Sequence, residues 1–258
     1  MRFRIRHVTT YRYQWPVTLG QHLFRLHPRE DGKVSLDSFS LSLHPFPVNL
    51  PPSLDAEGNW IHSAQFEGET QEFRVSAQCE GWTHSLGAVP RSSEAMEPYL
   101  QRGSEAQTTL DFAGEDGGDA PSFLTLLNHR IHTHLRTVQR LTGVPMDPEQ
   151  TLLEGKGSCR DLTVLFMACC RARGIAARFV SGYFPAPLGE RQHMHAWAEA
   201  YLPDAGWRAY DPTLGGEADE RHIAVAVAAE PASATPISGS YIGKARSEME
   251  VEMSMEVF

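Results

Sequence analysis

Lysine is scarce in this chain, and basic residues are not in excess over acidic ones. Lysine occurs only at positions 33, 156 and 244, so arginine carries nearly all of the positive charge. The 23 basic residues are outnumbered by 32 acidic ones, which gives a net charge of −9. The phosphate backbone of a nucleic acid requires a basic surface, so we expect no nucleic-acid partner.

Long apolar runs and abundant cysteines are absent as well. No stretch approaches the ~18 apolar residues of a membrane span, and the N-terminal MRFRIRHVTTYRYQW has no apolar signal core. The four cysteines, at 79, 159, 169 and 170, are too few for a disulfide framework, and reduced thiols fit the cytoplasm. We therefore expect a cytoplasmic protein with no membrane partner. The sequence does not determine its oligomeric state.

Cofactor-binding motifs do not occur either. The chain has no phosphate-binding loop, no G-x-G-x-x-G motif and no calcium loop of the D-x-D-x-D-G type. Two H-x-H pairs, His132/His134 and His193/His195, could bind Zn²⁺ or Ni²⁺, but no acidic or cysteine ligand stands at a supporting spacing. We expect no metal and no cofactor.

The first part of the chain has the pattern of β-strands. Apolar and polar residues alternate at Phe39–Leu43 and again at Phe73–Ala77, which is typical of half-buried strands. Proline- and glycine-containing turns separate such segments, among them Pro45–Pro52 and Gly58-Asn59. We predict a β-sandwich-like N-terminal domain over residues 1–100.

The second part, residues 101–258, predicts a mixed core. A linker rich in glycine and acidic residues over 103–120 precedes two helices, at about 121–138 and Cys159–Arg173. Strand patterns follow in this order: 178–184, 193–202, 207–212 and 249–257. A Pro-Asp-Ala-Gly turn joins the second and third as a hairpin, and the last strand may return to either sheet.

The most informative segment is GKGSCRDLTVLFMACCRARG, residues 155–174. Ser158 and Asp161 have the spacing of a capping box, which places Cys159 at the first helical residue. The free backbone N–H groups and the positive end of the helix dipole at that point favour a thiolate. A cysteine at a helix start does not by itself identify a nucleophile, because most free cysteines are structural. A structural role is our interpretation of Cys79, Cys169 and Cys170.

A reactive cysteine needs a base, and the base needs a partner that orients it. His195 lies in a predicted strand, and Asp211 ends the next strand across the hairpin. A carboxylate one strand away can accept a hydrogen bond from one ring nitrogen of His195 while the other nitrogen faces the thiol. Either residue alone has an ordinary structural explanation. The combination of helix-start cysteine, strand histidine and neighbouring aspartate indicates a catalytic site.

Two blocks of sequence, GSCRDLTVLFMACCRARGIAARFVSGY and HAWAEAYLPDAGWRAYDPT, resemble the transglutaminase-like superfamily, and most closely its bacterial members described as cysteine proteases. HVTTYRYQWPV and HLFRLHPR are similar to the β-rich N-terminal domain of those proteins. The chain departs from the family at Ser158, where a small apolar residue is usual, and at Ala176, where proline is common. The segment after Ile223 also lacks the family's Gly-Arg stretch.

The resemblance implies an α+β fold, in which the cysteine-bearing helix of a papain/transglutaminase-like core packs on an antiparallel sheet. It aligns the catalytic cysteine with Cys159, the histidine with His195 and the aspartate with Asp211. It further implies a thioester intermediate on amide bonds of peptides or proteins, with hydrolysis favoured over transglutamination.

Three further residues are assigned to substrate binding. Trp197 is expected beneath the site, Tyr183 on its rim, and Arg160 near the nucleophile, where it could hold a substrate carboxylate. For the arginine a structural salt bridge is the alternative. The alternative for the whole chain is a non-catalytic binding or scaffold protein that retains the fold, since a fold does not dictate an activity.

Overall fold

The computed structural model describes residues 1–84, 96–103, 106–114 and 118–258. The strands in chain order are β1 Arg2–Phe24, β2 Val34–His44, β3 Pro52–Leu54, β4 Trp60–Ala64, β5 Thr70–Thr83, β6 Arg136–Thr137, β7 Lys156–Gly157, β8 Ala177–Tyr183, β9 Met194–Leu202, β10 Gly206–Asp211, β11 Gly216–Glu217, β12 Ile223–Ala228, β13 Ile237–Ile242 and β14 Ser247–Val257. The helices are α1 Ala106–Ala113, α2 Ala120–His134, α3 Pro148–Glu154 and α4 Cys159–Ala172, with short 3₁₀ turns at Glu97–Leu100 and Pro231–Ala234.

The first strand organises the N-terminal sheet, whose order is β2-β5-β1-β4-β3. The first half of β1 pairs with β5, and its last residues pair with β4 after register shifts. Because one strand serves both halves, the sheet curls around an apolar interior that includes Phe24, Phe73 and Val75. The predicted alternation at Phe73–Ala77 is confirmed, since Phe73, Val75 and Ala77 are buried and the intervening side chains are not.

The last two strands join this same sheet. β14 pairs with β1 antiparallel from Phe3↔Val257 to Tyr13↔Ser247, and β13 pairs with β1 from Thr18↔Ile242 onward. The C-terminal strand therefore returns to the N-terminal sheet, one of the two options that its sequence pattern left open.

The core between these segments is a helix-on-sheet layer. The sheet order is β11-β10-β9-β8-β12, and the predicted hairpin β9/β10 is confirmed. Alternate residues of β9, Ala196, Ala198 and Ala200, pack in one cluster with Leu162, Leu165 and Phe166 of α4. Small side chains on the strand let the helix approach closely, which fixes the nucleophile-bearing end of α4. The predicted α+β class is confirmed.

One predicted loop contains a helix. Residues 103–120 were expected to be a linker, yet α1 occupies Ala106–Ala113, with Thr109 and Ala113 buried. These two side chains stand four residues apart on one face of the helix, and the thiol of Cys169 donates to the Thr109 carbonyl at 3.4 Å. Packing against α4 thus stabilises a segment whose glycine and acid content favoured a loop.

The N-terminal sheet touches the core through Asn59. Its amide donates to the carbonyl of Val227 at 2.7 Å and accepts from the Val227 N–H at 2.8 Å, so it pairs with β12 as a strand residue would. In the part of the chain described above, no helix is both long and apolar enough to cross a bilayer.

Candidate active site

The start of α4 confirms the predicted capping box. Ser158 is the N-cap and Cys159 is the first helical residue. The Asp161 carboxylate accepts hydrogen bonds from the Ser158 backbone N–H and hydroxyl, both at 2.7 Å. Ser158, one of the departures from the family pattern, is therefore a capping residue. Its hydroxyl helps to satisfy a fully buried carboxylate at the base of the nucleophile.

Arg160 makes structural hydrogen bonds, and its contact with substrate stays a prediction. Its guanidinium donates to the backbone carbonyls of Gly143 and Arg140, each at 2.7 Å, and of Thr142 at 3.2 Å. These bonds fix the loop that precedes α3 beside the nucleophile. These bonds use three of the five N–H donors of the guanidinium.

The three predicted catalytic side chains lie together. His195 stands at the beginning of β9, Asp211 ends β10, and their Nε2 and Oδ2 atoms are 2.7 Å apart. The Cys159 thiol is near enough to the same imidazole to raise its pKa, and its residue is half-buried. Because Nε2 is engaged by Asp211, Nδ1 is the nitrogen available to the thiol.

Electrostatics favour a charged imidazole. Burial lowers the pKa of His195, but the hydrogen bonds to Asp211 and Cys159 outweigh burial and raise the pKa to about 10. For Asp211, burial raises the pKa, and the hydrogen bonds from His195 and His222 overcome it and hold the pKa well below its usual range. This arrangement stabilises an imidazolium between a carboxylate and a sulfur atom that can carry negative charge.

A second histidine, which sequence reasoning missed, also contacts Asp211. Nε2 of His222 lies 3.1 Å from the same Oδ2 that His195 contacts. Its position follows from the pairing of β12 with β8, where Ile223 lies opposite Tyr183. No motif or spacing relates residue 222 to 195 or 211, so only the sheet topology could have found it.

Trp197 lies beneath the site, as its predicted packing position suggested. Its ring stacks against His195 with centroids 6.2 Å apart, and the residue is only 2% exposed. Gly182 faces His195 across β8/β9, and a Cβ at that position would lie 2.4 Å from the Trp197 ring. Trp197 thus supports the imidazole from below, and its burial leaves little surface for a substrate.

Tyr183 is not on the rim. Its residue is 1% exposed, and its hydroxyl lies 3.1 Å from Nδ1 of His7 in the N-terminal sheet. Tyr183 does belong to a strand beside the site, but its side chain points away from the site and into the contact with the N-terminal sheet.

Among the described residues, side chains of the kinds that bind metals come together at one place. The ligand atoms of His195, Asp211 and His222 all lie within 4.8 Å of one another. The hydrogen bonds to Asp211 account for this proximity. The H-x-H pair on α2 does not converge, because Nδ1 of His132 bonds the Thr213 carbonyl at 2.8 Å and Nδ1 of His134 bonds the Arg130 carbonyl at 3.0 Å.

Comparison with known proteins identifies the family. Residues 118–212 match the transglutaminase-like superfamily, and residues 3–80 match the bacterial transglutaminase-like N-terminal region. The chain therefore belongs to the transglutaminase-like superfamily and carries a bacterial transglutaminase-like N-terminal region. Membership supports a cysteine-dependent enzyme.

Its relatives extend over nearly the whole chain. An uncharacterized protein of Mycobacterium tuberculosis (strain ATCC 25618 / H37Rv) is 29% identical over 296 residues, covering 100% of this chain and 93% of the relative. An uncharacterized protein of Mycobacterium leprae is 24% identical over 276 residues, with 97% and 96% covered. The "Putative Cysteine Protease from Cytophaga hutchinsonii" has the same fold, with a TM-score of 0.74 at 22% identity over 100% of this chain and 91% of that one.

Proposed function

We propose that this protein is a cysteine-nucleophile acyl-transfer enzyme that acts on amide bonds of peptides or proteins, with hydrolysis as its main reaction. One observation carries the proposal: Nε2 of His195 lies 2.7 Å from Asp211 while the same imidazole interacts with the thiol at the start of α4. Nucleophile, base and orienting carboxylate are the three parts that such chemistry requires.

The proposed reaction has two steps, formation of a thioester on Cys159 and its cleavage. The Cys159 sulfur attacks the amide carbonyl carbon, an S–C bond forms, and the carbonyl electron pair moves to oxygen. The backbone N–H of Cys159, which has no intrahelical acceptor at the first helical position, donates to that oxyanion. His195 then gives its Nδ1 proton to the leaving nitrogen as the C–N bond breaks.

The resulting thioester is cleaved by a second nucleophile. His195 takes a proton from water as the water oxygen attacks, and the Cys159 sulfur leaves as thiolate. An amine in place of water would give transglutamination. Water is the most concentrated nucleophile in aqueous solution, and the description of the Cytophaga protein as a protease agrees with hydrolysis.

The first test is the pH dependence of alkylation by iodoacetamide, with each cysteine followed by peptide mass spectrometry. Cys159 should label before Cys79, Cys169 and Cys170, which are buried. At neutral pH Cys159 should react faster than an ordinary exposed thiol, because the His195 imidazolium stabilises a thiolate. His195→Ala should slow this labelling.

Two results would contradict the proposal. One is a rate of Cys159 labelling at neutral pH that is ordinary for a thiol and unchanged by His195→Ala. The other is labelling of Cys159 no faster than that of the buried cysteines. Either would favour the binding or scaffold alternative. If the thiol is activated, peptide amides incubated with and without a primary amine would separate hydrolysis from amine transfer by product mass.

A further inference from the structure

Asp211 has more partners than an orienting carboxylate requires. Its Oδ1 accepts from the backbone N–H groups of Thr213 at 2.8 Å and Leu214 at 3.3 Å. Its Oδ2 lies 2.7 Å from His195 and 3.1 Å from His222. All these contacts occur on a residue that is fully buried, where water cannot take the place of a missing donor.

The hydrogen bonds of His222 place a proton on Nε2. The backbone N–H of Asp219 donates to Nδ1 at 3.0 Å, and the Asp219 carboxylate oxygen Oδ1 lies 3.3 Å from the same nitrogen. In a neutral ring the Nδ1 that accepts from this N–H is unprotonated, so Nε2 carries the proton; in a charged ring both nitrogens carry one. In both states Nε2 of His222 donates to Asp211.

The His222 ring is also held in place by its packing. Its side chain is 3% exposed. The ring centroids of Phe184 and Trp197 lie 4.5 Å and 5.1 Å from its own. The guanidinium of Arg221 lies 5.0 Å above the Phe184 ring and pairs with Asp219 at 2.6 Å. The charged or titratable groups that surround His222 are Asp211, His195, Asp219 and Arg221, and, across a shared cavity, Arg29, Asp31, Lys33 and Glu199.

We propose that His222 is a positioning residue that acts through Asp211. It supplies a second imidazole N–H to Oδ2 and so weakens the attraction of that carboxylate for the His195 proton. The inference rests on the proposed function, because it concerns the same pair of residues.

The chemical consequence concerns the acid step. An imidazolium whose pKa is about 10 releases its proton reluctantly to a leaving amine at neutral pH. A donor that shares the negative charge of Asp211 makes this release easier. Without that donor, Asp211 should be more basic, and the His195 proton should be held more tightly.

The test compares two variants of the full chain by NMR titration of ring-labelled histidines up to pH 11. Phenylalanine at 222 fills the slot and cannot donate, so His222→Phe should raise the His195 midpoint by about one unit. Glutamine can place an amide N–H near the former Nε2 position, so His222→Gln should restore a midpoint close to that of the parent protein. His134→Phe, which removes an exposed histidine on α2, should leave the midpoint unchanged.

The direction of the shift separates tuning from a merely structural role. If His222 only packed the site, His222→Phe would loosen the His195–Asp211 bond and the midpoint would fall. A His195 midpoint that falls or does not change in His222→Phe overturns the inference. An equal rise of the midpoint in His222→Phe and His222→Gln overturns it as well. Circular dichroism checks that each variant is folded.

The proposed function can fail independently. A His195 in the parent protein that titrates near its ordinary ~6.5, beside a Cys159 with ordinary alkylation, would remove the basis of the acyl-transfer proposal whatever His222 does. A high His195 midpoint with activated Cys159 and no response to His222→Phe would leave the acyl-transfer proposal in place and refute the role of His222.

Discussion

At the scale of single residues, Asp161 has as large a part in shaping the site as the nucleophile beside it. Besides the two groups of Ser158, its carboxylate accepts from the backbone N–H of Met146 at 2.8 Å and from the guanidinium of Arg140 at 2.5 Å. It thus ties the helix start to the loop that Arg160 holds from the other side. Burial raises the pKa of Asp161, and these hydrogen bonds overcome it and lower the pKa.

Substitution Asp161→Asn should lower the free energy of unfolding at pH 7 by about 3 kcal/mol. The amide has an NH₂ group in place of one carboxylate oxygen, so the buried donors that face it lose their acceptor. A carboxyl whose pKa is depressed in the folded state contributes stability above its unfolded pKa and loses it in acid. The difference between the two proteins should therefore shrink as the pH falls below about 4, because the carboxyl of the unfolded parent chain then takes up a proton while the folded one still resists it. Urea unfolding at several pH values measures both effects.

The matched control is Asp147→Asn at the N-cap of α3, where the exposed side chain makes no capping hydrogen bond. Its effect should stay within about 0.5 kcal/mol. A loss of stability in Asp161→Asn that is no larger than in this control would contradict the role given to Asp161.

At the scale of elements, Asn59 connects the N-terminal sheet to the edge of the core sheet. Its side-chain amide makes both hydrogen bonds of a strand residue with Val227, and its oxygen also accepts from Arg29 at 2.5 Å. β12 is the edge strand of the core sheet, and the Asn59 side chain supplies the hydrogen bonds that a further strand would make with Val227. The bonds matter because Asn59 is almost fully buried.

Asn59→Ala should lower the free energy of unfolding by about 2–3 kcal/mol, since it leaves the N–H and C=O of Val227 without their partners. Amide hydrogen exchange along β12 should accelerate more than exchange in α4. Asn49→Ala, at an exposed isolated bridge, provides the comparison. Equal effects of the two substitutions on stability and exchange would refute the bridging role.

Elements with a clear internal period could be predicted from the sequence, and those defined by distant contacts could not. The apolar period of α4 and its cap fixed the position of Cys159 to the residue, and the turn at 203–206 fixed the β9/β10 hairpin and with it the relation of His195 to Asp211. Helix α1 forms because it packs on α4, and a composition of glycine and acids does not reveal that contact. His222 reaches Asp211 only through the β8/β12 pairing, which no local pattern encodes.

At the scale of the whole molecule, β1 lies between partners from both ends of the chain. β5 and β4 pair with one edge of it, and β14 and β13 with the other. The face that carries Arg4, Arg6 and Arg12 forms ion pairs with glutamates of β14 such as Glu256, Glu252 and Glu250. The two C-terminal strands therefore cover what would otherwise be a long open edge.

Deletion of residues 237–258 should expose that edge and cause self-association, because unpaired strand edges are templates for further pairing. Sedimentation of the truncated and full-length proteins over a range of concentrations measures this. A matched variant that keeps the strands but replaces the exposed residue Glu250 by Gln should sediment like the parent. A truncated protein that sediments the same at every concentration would show that β13 and β14 are dispensable for closing the sheet.

The pairing of β1 with β14 also constrains the order of events at the ribosome. Phe3 meets Val257 in the finished sheet, so β1 waits until β14 has been synthesised before its second edge is satisfied. Contacts so distant in sequence form slowly, and nascent chains with open edges are prone to misassembly. The helix-on-sheet layer that carries Cys159, His195 and Asp211 is translated in between. The nucleophile and its partners can thus be assembled while the N-terminal sheet is still incomplete.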